Sequence, residues 1–384
     1  MNAVVVMPAP AALVTGVLAP TVSRGLSRLV MALLFAQLWL AQSTLAVAQI
    51  GSELLLGATL VVMLRKCRLQ RRETALLLVF GLSLIASLAV NPIPVTLLLA
   101  KVFGLAILSL LVFSRFRFDT TDAVWIIAVN VLLTVYQYFF GNPGWYLGIV
   151  LSVGETWREF AGSRPLGLFM STHVSAVLTA LFFLRLRQNP IFAGAGLLNV
   201  FVSGSTNVIL AYVGQVAQRL LAWLHLERLA VGFGIAAAAL LLVYAQTVLD
   251  IDLTAISDIV TGREQVSYSI IATQLLSPDY YVRAFTLIPG DPHLLYNEAS
   301  GDWPNEIGYL STLQQGGFIL GAGYLLLLVS RIRGFRVFML IGMLHFSMQT
   351  LPLVVFLLLQ WSDAMSPRGA PSETFVFVPS RELR

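Results

Sequence analysis

Charged residues are scarce in this chain. Asp, Glu, Lys and Arg together make up 11% of it, whereas 58% is apolar and the mean hydropathy is +0.83; soluble domains carry roughly 25% charge. Because this balance extends along nearly the whole length, it excludes a soluble domain with a single anchor and indicates a polytopic membrane protein. The net charge of +5 does not indicate nucleic-acid binding, since basic residues in such a protein mark the sides of the membrane.

Residues that hold metals or form disulfides are also few. The single cysteine, Cys67, excludes an intrachain disulfide and a cysteine-based metal site. The sequence contains no HExxH, CxxC, Walker A or GxSxG pattern and no paired DxD in a loop, so we expect neither a metal nor a cofactor. The first 20 residues lack the basic start of a secretory signal peptide, which predicts that they are retained.

Long apolar runs bounded by charges are the main feature that is present. A backbone in lipid must satisfy its own hydrogen bonds, so each run is predicted to be a helix. We therefore predict an all-α, polytopic transmembrane helical bundle of about 11 spans (range 10–12) that forms a single integral membrane domain over residues 1–384. The predicted spans are 29–48, 50–64, 74–90, 93–114, 123–140, 165–184, 190–204, 206–224, 229–248, 307–330 and 337–361.

Basic residues alternate between the connections of these spans. With a cytoplasmic N-terminus, the cytoplasmic connections hold 16 of the 24 Lys and Arg, as the positive-inside rule requires. These connections are "RGLSR", "RKCRLQRR", "RFRFDTTD", "RLRQNP", "HLER" with the nearby Arg219, and "RIRGFR". With eleven spans, the C-terminal tail is predicted to lie on the outer side.

One predicted outer connection is exceptionally long. Residues 250–306 contain nine acids and two arginines, Arg263 and Arg283. Long loops in compact proteins are usually functional or linkers. The aromatics and the pattern "TGREQVSYSIIATQLL" favour short helices on the membrane surface and therefore a functional loop.

Three outer arginines are candidate anion ligands. Arg164 begins a predicted span, and Arg263 and Arg283 lie in the large loop. A guanidinium group offers a planar fork of donors that matches a phosphate. The alternatives are that Arg164 reaches toward lipid headgroups, that Arg263 pairs with a nearby acid, and that Arg283 does the same or stacks on an aromatic ring.

Asp302 and Glu306 are the candidate catalytic acids. They lie four residues apart directly before an apolar run, which places them on one face if the helix begins early. Acids at a helix N-terminus are also stabilised by the helix dipole alone. Partial burial of Glu306 would favour a general base, and His293 is a further candidate by its position in the loop.

The order of these motifs resembles the O-antigen ligase and polysaccharide polymerase (Wzy-type) superfamily. The resemblance covers about residues 160–330. It rests on the entry with Arg164 and Gly167, the turn "VSGSTN", the loop segment "TGREQVSYSI" and the segment "NEIGYLSTLQQGGFILGAGYLLLL". The family's histidine position is Pro304 here, and the turn lacks the usual arginine.

The resemblance implies a metal-independent inverting glycosyltransferase of the bacterial inner membrane, with its large loop in the periplasm above the active site. Arg164 and Arg263, aided by Arg283, would bind the diphosphate of a polyprenyl-linked oligosaccharide, and Glu306 would be the base ahead of Asp302 and His293. The expected function is that of a polysaccharide polymerase. Its expected partners, besides membrane lipid, are proteins of polysaccharide export and of chain-length control. The alternatives are a ligase, a transporter or flippase for lipid-linked oligosaccharide, and a structural subunit of an exopolysaccharide machine.

Overall fold

Helices dominate the part of the chain that the structure, a computed structural model, describes. The described residues are 20–40, 46–144, 146, 165–169, 171–185, 190–223, 285–289, 308–343 and 348–362. Their α-helices are α1 Arg24–Leu40, α2 Ala46–Leu64, α3 Arg71–Val90, α4 Ile93–Phe113, α5 Thr121–Phe140, α6 Thr172–Arg185, α7 Pro190–Val202, α8 Thr206–Trp223, α9 Gly308–Gly316, α10 Phe318–Arg331, α11 Arg336–Gly342 and α12 Pro352–Ser362. Over these ranges the only strand-like contact is an isolated bridge between Thr21 and Arg117, so the predicted all-α class is confirmed.

Four of the described helices are long and apolar enough to cross a membrane, namely α2, α3, α4 and α5. Most of α3 faces outward, with Leu78, Leu82 and Ile85 each about two-thirds exposed, as lipid-facing positions are. The prediction of a membrane protein agrees with these helices. The predicted count of about 11 spans is not confirmed, and the predicted span at 229–248 lies outside the described residues.

Local sequence explains several helix ends. The backbone N–H of Gln70 donates to the Glu73 carboxylate at 2.7 Å, which satisfies a free donor at the start of α3. Pro92 and Pro94 lie at the start of α4, where a missing N–H costs nothing. Gly141, with φ of 77°, ends α5.

The basic connections meet at one end of the bundle, which we call the basic end and define by residues 24–28, 65–72, 114–122 and 331–336. Glu73 receives hydrogen bonds from Arg115 and, at 2.9 Å, from Arg331. Arg28 pairs with Asp122 at 3.2 Å. These contacts agree with the predicted common side of the connections.

The large loop contacts the opposite end, which we call the far end. In its described part, the Thr286 carbonyl accepts from Phe318 N–H at 2.7 Å, and the Pro289 carbonyl accepts from Asn91 Nδ2 at 2.8 Å. Asn91 caps the C-terminus of α3, whose N-terminus carries Glu73. Residues 285–289 therefore lie on the side that the charge alternation predicts for the loop, opposite the basic connections.

The predicted span 307–330 is broken. Gly317 has φ of 75°, and a Cβ on Gly321 would lie 2.8 Å from both Leu313 Cα and Thr312 O. In a continuous helix, residues eight apart are about 12 Å apart, so α9 folds back against α10. The chain therefore reverses direction at Gly317.

The prediction of a single crossing at 337–361 is wrong. The α11 helix leaves the basic end, and α12 returns to it, where Ser362 Oγ accepts from Gly334 N–H at 3.5 Å and Gln360 Nε2 donates to the Phe113 carbonyl at 2.8 Å. The seven residues of α11 extend only about 10 Å, a third of a bilayer core of about 30 Å. The predicted outer position of the C-terminal tail depended on that crossing, and residue 362 instead lies at the basic end.

Candidate functional site

The six predicted site residues, Arg164, Arg263, Arg283, His293, Asp302 and Glu306, all lie outside the described residues. The structure does describe the segments that adjoin three of them. Pro165 follows Arg164, Phe285 lies two residues after Arg283, and Gly308 lies two residues after Glu306. These segments show how the chain is held beside the predicted site.

The five residues after Arg164 form a buried, non-helical segment, Pro165–Phe169. The helix α6 begins only at Thr172, so the predicted span 165–184 starts with irregular backbone. Side chains of α5 hold this backbone: Gly167 N–H donates to Gln137 Oε1 at 2.7 Å, and Leu168 N–H donates to Asn130 Oδ1 at 2.8 Å. These bonds replace the ladder that a helix would supply and make irregular backbone tolerable at membrane depth.

The α6 side of the same segment is bonded just as closely. Ser175 Oγ donates to the Leu166 carbonyl at 2.7 Å, and Thr172 Oγ1 donates to the Pro165 carbonyl at 3.2 Å. The Tyr146 hydroxyl donates to the Gly167 carbonyl. Side chains from three parts of the chain therefore fix the backbone that follows Arg164.

Gly167 is required at its position. Its φ is 63°, and an added Cβ would lie 2.5 Å from Asn130 Oδ1 and also meet Ser175 Oγ. Residues other than glycine rarely adopt this conformation, and here there is no room for a side chain. The glycine of the predicted span entry thus acts by letting the segment pack against α5 and α6.

Two of the sequence motifs meet in the structure. His173 Nδ1 lies 3.0 Å from Ser205 Oγ, which joins the start of α6 to the turn "VSGSTN". His173 therefore acts here as a hydrogen-bonded packing residue. Asn207, from the same turn, donates to the Gly342 carbonyl at 2.7 Å and so connects the turn to the end of α11.

A buried polar cluster surrounds the start of α9. Gln349 Nε2 donates to the Gly308 carbonyl at 2.9 Å and to Thr312 Oγ1, and the Tyr324 hydroxyl donates to the Gln349 carbonyl at 2.5 Å. Tyr324 precedes Arg331 by seven residues, or about 10 Å along α10. Gly308 therefore lies inside the bundle, where it is buried.

An ion pair inside the membrane-spanning helices was not predicted. Lys101 Nζ lies 3.0 Å from Glu53 Oε1, and Gln49 donates to the same oxygen at 3.0 Å. Glu53 is 7% exposed, and Lys101 lies eight residues into α4, or about 12 Å from its start. The sequence did contain a signal for this pair, namely a charged residue within a long apolar run. Burying such a charge in a membrane costs free energy, so it usually has a function.

Polar residues on α5 were also missed. Asn130, Thr134 and Gln137 are all buried, and their spacing places them on one helix face. In an otherwise apolar helix, such a face indicates a polar partner inside the bundle. The partner is the segment after Arg164.

The charged cluster at the basic end has a structural role. The Glu73 side chain is 1% exposed and receives hydrogen bonds from Arg115, Arg331 and the Gln70 backbone. It joins the start of α3 to the ends of α4 and α10. Burial raises the pKa of the neighbouring Cys67 thiol above its ordinary value, and Arg115 opposes that shift.

Comparison of this chain with protein-family models, with curated proteins and with solved structures finds no match.

Proposed function

We propose that this protein is a polysaccharide polymerase that acts on polyprenyl-diphosphate-linked glycans at the outer face of the bacterial inner membrane. The observation that carries the proposal is the segment Pro165–Phe169. Its buried backbone follows Arg164 directly and is held by side chains of α5 and α6. Such a support holds the backbone of the segment in one arrangement, as preorganised catalysis requires.

Hydrogen bonds between motif segments give further support. His173 bonds with Ser205, Asn207 bonds with Gly342, and Gln349, seven residues later, bonds with Gly308. This series connects the backbone after Arg164 with the backbone after Glu306. Such a connection supports the proposal, because the reaction needs a guanidinium group and a carboxylate in the same chamber.

In the proposed reaction, an acceptor hydroxyl on a lipid-linked repeat unit attacks the anomeric carbon of the donor glycan. The bond from that carbon to the diphosphate oxygen breaks, and polyprenyl diphosphate leaves. Arg164 and Arg263, with Arg283, stabilise the negative charge of the leaving group. Glu306 takes the proton of the hydroxyl, ahead of Asp302 and His293.

The described part of the large loop suits this arrangement. Residues 285–289 contact the ends of α3 and α10 at the far end. A loop over an outward cavity excludes water, which would otherwise hydrolyse the donor. In the proposed orientation, the basic end faces the cytoplasm and the loop lies in the periplasm.

The test is complementation of a strain that lacks this protein with Arg164→Ala, Arg263→Ala and Glu306→Gln. Each variant is expected to abolish polymer and to accumulate single lipid-linked repeat units while the protein remains in the membrane. Arg28→Ala is the control, because Arg28 is an exposed arginine of the basic end. Normal polymer from both arginine variants would remove the enzymatic proposal, and transfer to a different acceptor would indicate a ligase.

A flippase for the same lipid-linked unit is the second candidate. It is favoured by the Lys101–Glu53 pair and by the break at Gly317, since transporters use intramembrane charges and interrupted helices. Lys101→Met and Glu53→Gln, assayed separately, discriminate between the two. A flippase would leave single units in the cytoplasmic leaflet, whereas a failed polymerase would leave them in the outer leaflet.

A further inference from the structure

Within the described part of the chain, the side-chain amide of Gln137 forms a hydrogen bond through its oxygen but not through its nitrogen. Its Oε1 accepts the Gly167 N–H at 2.7 Å. Because Gly167 N–H can only donate, this bond decides which amide atom faces the segment. The Nε2 atom therefore points away with two N–H groups, and it has no hydrogen-bond partner among the described residues, although Gln137 is only 2% exposed.

The neighbouring Asn130 shows that holding the segment does not require an unpaired amide. Asn130 Oδ1 accepts the Leu168 N–H, and its Nδ2 donates to the Ser175 carbonyl and to Thr179 Oγ1, each at 3.4 Å. Both of its amide atoms are paired. Buried polar groups are normally paired in this way, and an exception calls for an explanation.

The position of Gln137 suggests that explanation. It lies 16 residues after Thr121, so the axis of α5 carries it about 24 Å from the basic end, close to the far end. It is bonded to Gly167, three residues after Arg164. Two amide N–H donors in such a place complement a ligand that offers only acceptor oxygens, as a phosphate does.

We infer that Gln137 is a substrate-binding residue whose Nε2 donates to a phosphate oxygen of the lipid-linked diphosphate. The inference rests on the proposed function, since it concerns the same site. Gln137 then has two tasks: its oxygen holds the backbone of Gly167, and its nitrogen binds the diphosphate.

Gln137→Glu separates the two tasks. The substitution keeps an acceptor for Gly167 N–H, removes both N–H donors and adds a charge that repels phosphate. Gln360→Glu at the basic end is the matched control, because it keeps the acceptor for Phe118 N–H and removes donors that are already paired with the Phe113 and Phe116 carbonyls. Gln137→Ala removes both tasks.

The experiment measures binding of a synthetic polyprenyl diphosphate, and of the polyprenol of equal length, to the purified full-length protein in nanodiscs. We expect the wild type to prefer the diphosphate. We expect Gln137→Glu to lose about tenfold or more of that affinity, the effect of one charge-assisted hydrogen bond. Its melting temperature should be no lower than that of Gln360→Glu, because both substitutions bury a new carboxylate. Gln360→Glu should melt lower but bind the diphosphate as the wild type does, because it lies at the opposite end of the bundle.

The contrary outcomes are distinct. A wild type that binds both lipids equally contradicts the proposed function itself. A wild type that prefers the diphosphate, with Gln137→Glu binding it equally well, overturns only the role of Gln137. If Gln137→Glu weakens the binding of the polyprenol as much as that of the diphosphate, the loss is structural, and the inference also fails.

Discussion

Removal of the Glu73 carboxylate is predicted to destabilise the protein more than loss of any exposed ion pair. Its two oxygens are shared by Arg331 at 2.9 Å, by Arg115 and by the Gln70 N–H at 2.7 Å. The Glu73 side chain is 1% exposed, whereas those of Arg115 and Arg331 are 17% and 29% exposed. Glu73→Ala therefore leaves two guanidinium groups close together and without their counter-charge.

The magnitude follows from this geometry. Breaking a buried ion pair by removing one partner costs about 3–5 kcal/mol. Because water still reaches both arginines, we take the lower part of that range and expect about 3 kcal/mol for Glu73→Ala. Glu73→Gln keeps an acceptor for Gln70 N–H and for one arginine, so we expect about half as much.

The assay is thermal unfolding of the purified protein in detergent, followed by the loss of the monodisperse peak. Asp122→Asn is the control, since its pair with Arg28 is exposed on both sides and such pairs contribute less than about 1 kcal/mol. A double-mutant cycle with Arg331→Met isolates the coupling across the two helices. If Glu73→Ala melted within error of Asp122→Asn, the carboxylate would not be the link between α3, α4 and α10, and the reasoning would be refuted.

Three further predictions concern other parts of the fold. Gly167→Ala should destabilise the protein by about 2–4 kcal/mol, from a positive φ and overpacking against Asn130, as measured by thermal unfolding; a wild-type melting temperature would contradict the observed packing. The rate of maleimide labelling of Cys67, the single cysteine, should rise at higher pH than that of a free thiol, because burial raises the pKa of the Cys67 thiol. Arg115→Met should move this pH profile higher still, because Arg115 opposes the shift. The pH profile of a free thiol would contradict the prediction. A reporter fused after Ser362 should be on the same side of the membrane as Cys67, and fluorescence of a side-specific reporter on the opposite side would contradict the return of α12 to the basic end.

Much of the helical organisation follows from local sequence. Apolar runs between charges predicted α3, α4 and α5 to within a few residues, because a backbone in lipid has no partner other than itself. Prolines and glycines mark several ends, as Pro92 and Gly141 do. The common end of the basic connections also followed from charge alternation, which is a property of the sequence.

The reversals could not be predicted in this way. The glycines at 316 and 317 are compatible with a straight helix against a neighbour, and only the contact of Gly321 with Leu313 shows that α9 turns back. Hydropathy also does not show the direction in which a helix runs. The apolar run 337–361 is therefore long enough for one membrane crossing, although α11 leaves the basic end and α12 returns to it.

For the candidate site, the sequence determined the types of residue, and the tertiary structure decided their partners. Composition and motif order pointed to Arg164 and to the segment that follows it, because few chemical groups suit an anionic ligand at a membrane surface. That Gln137 and Asn130 support this segment depends on residues 30 and 38 positions apart in the chain. Such pairs are formed by the packing of α5 against α6, and no local pattern encodes them, because a polar residue on an apolar helix indicates that a partner exists without indicating which one it is.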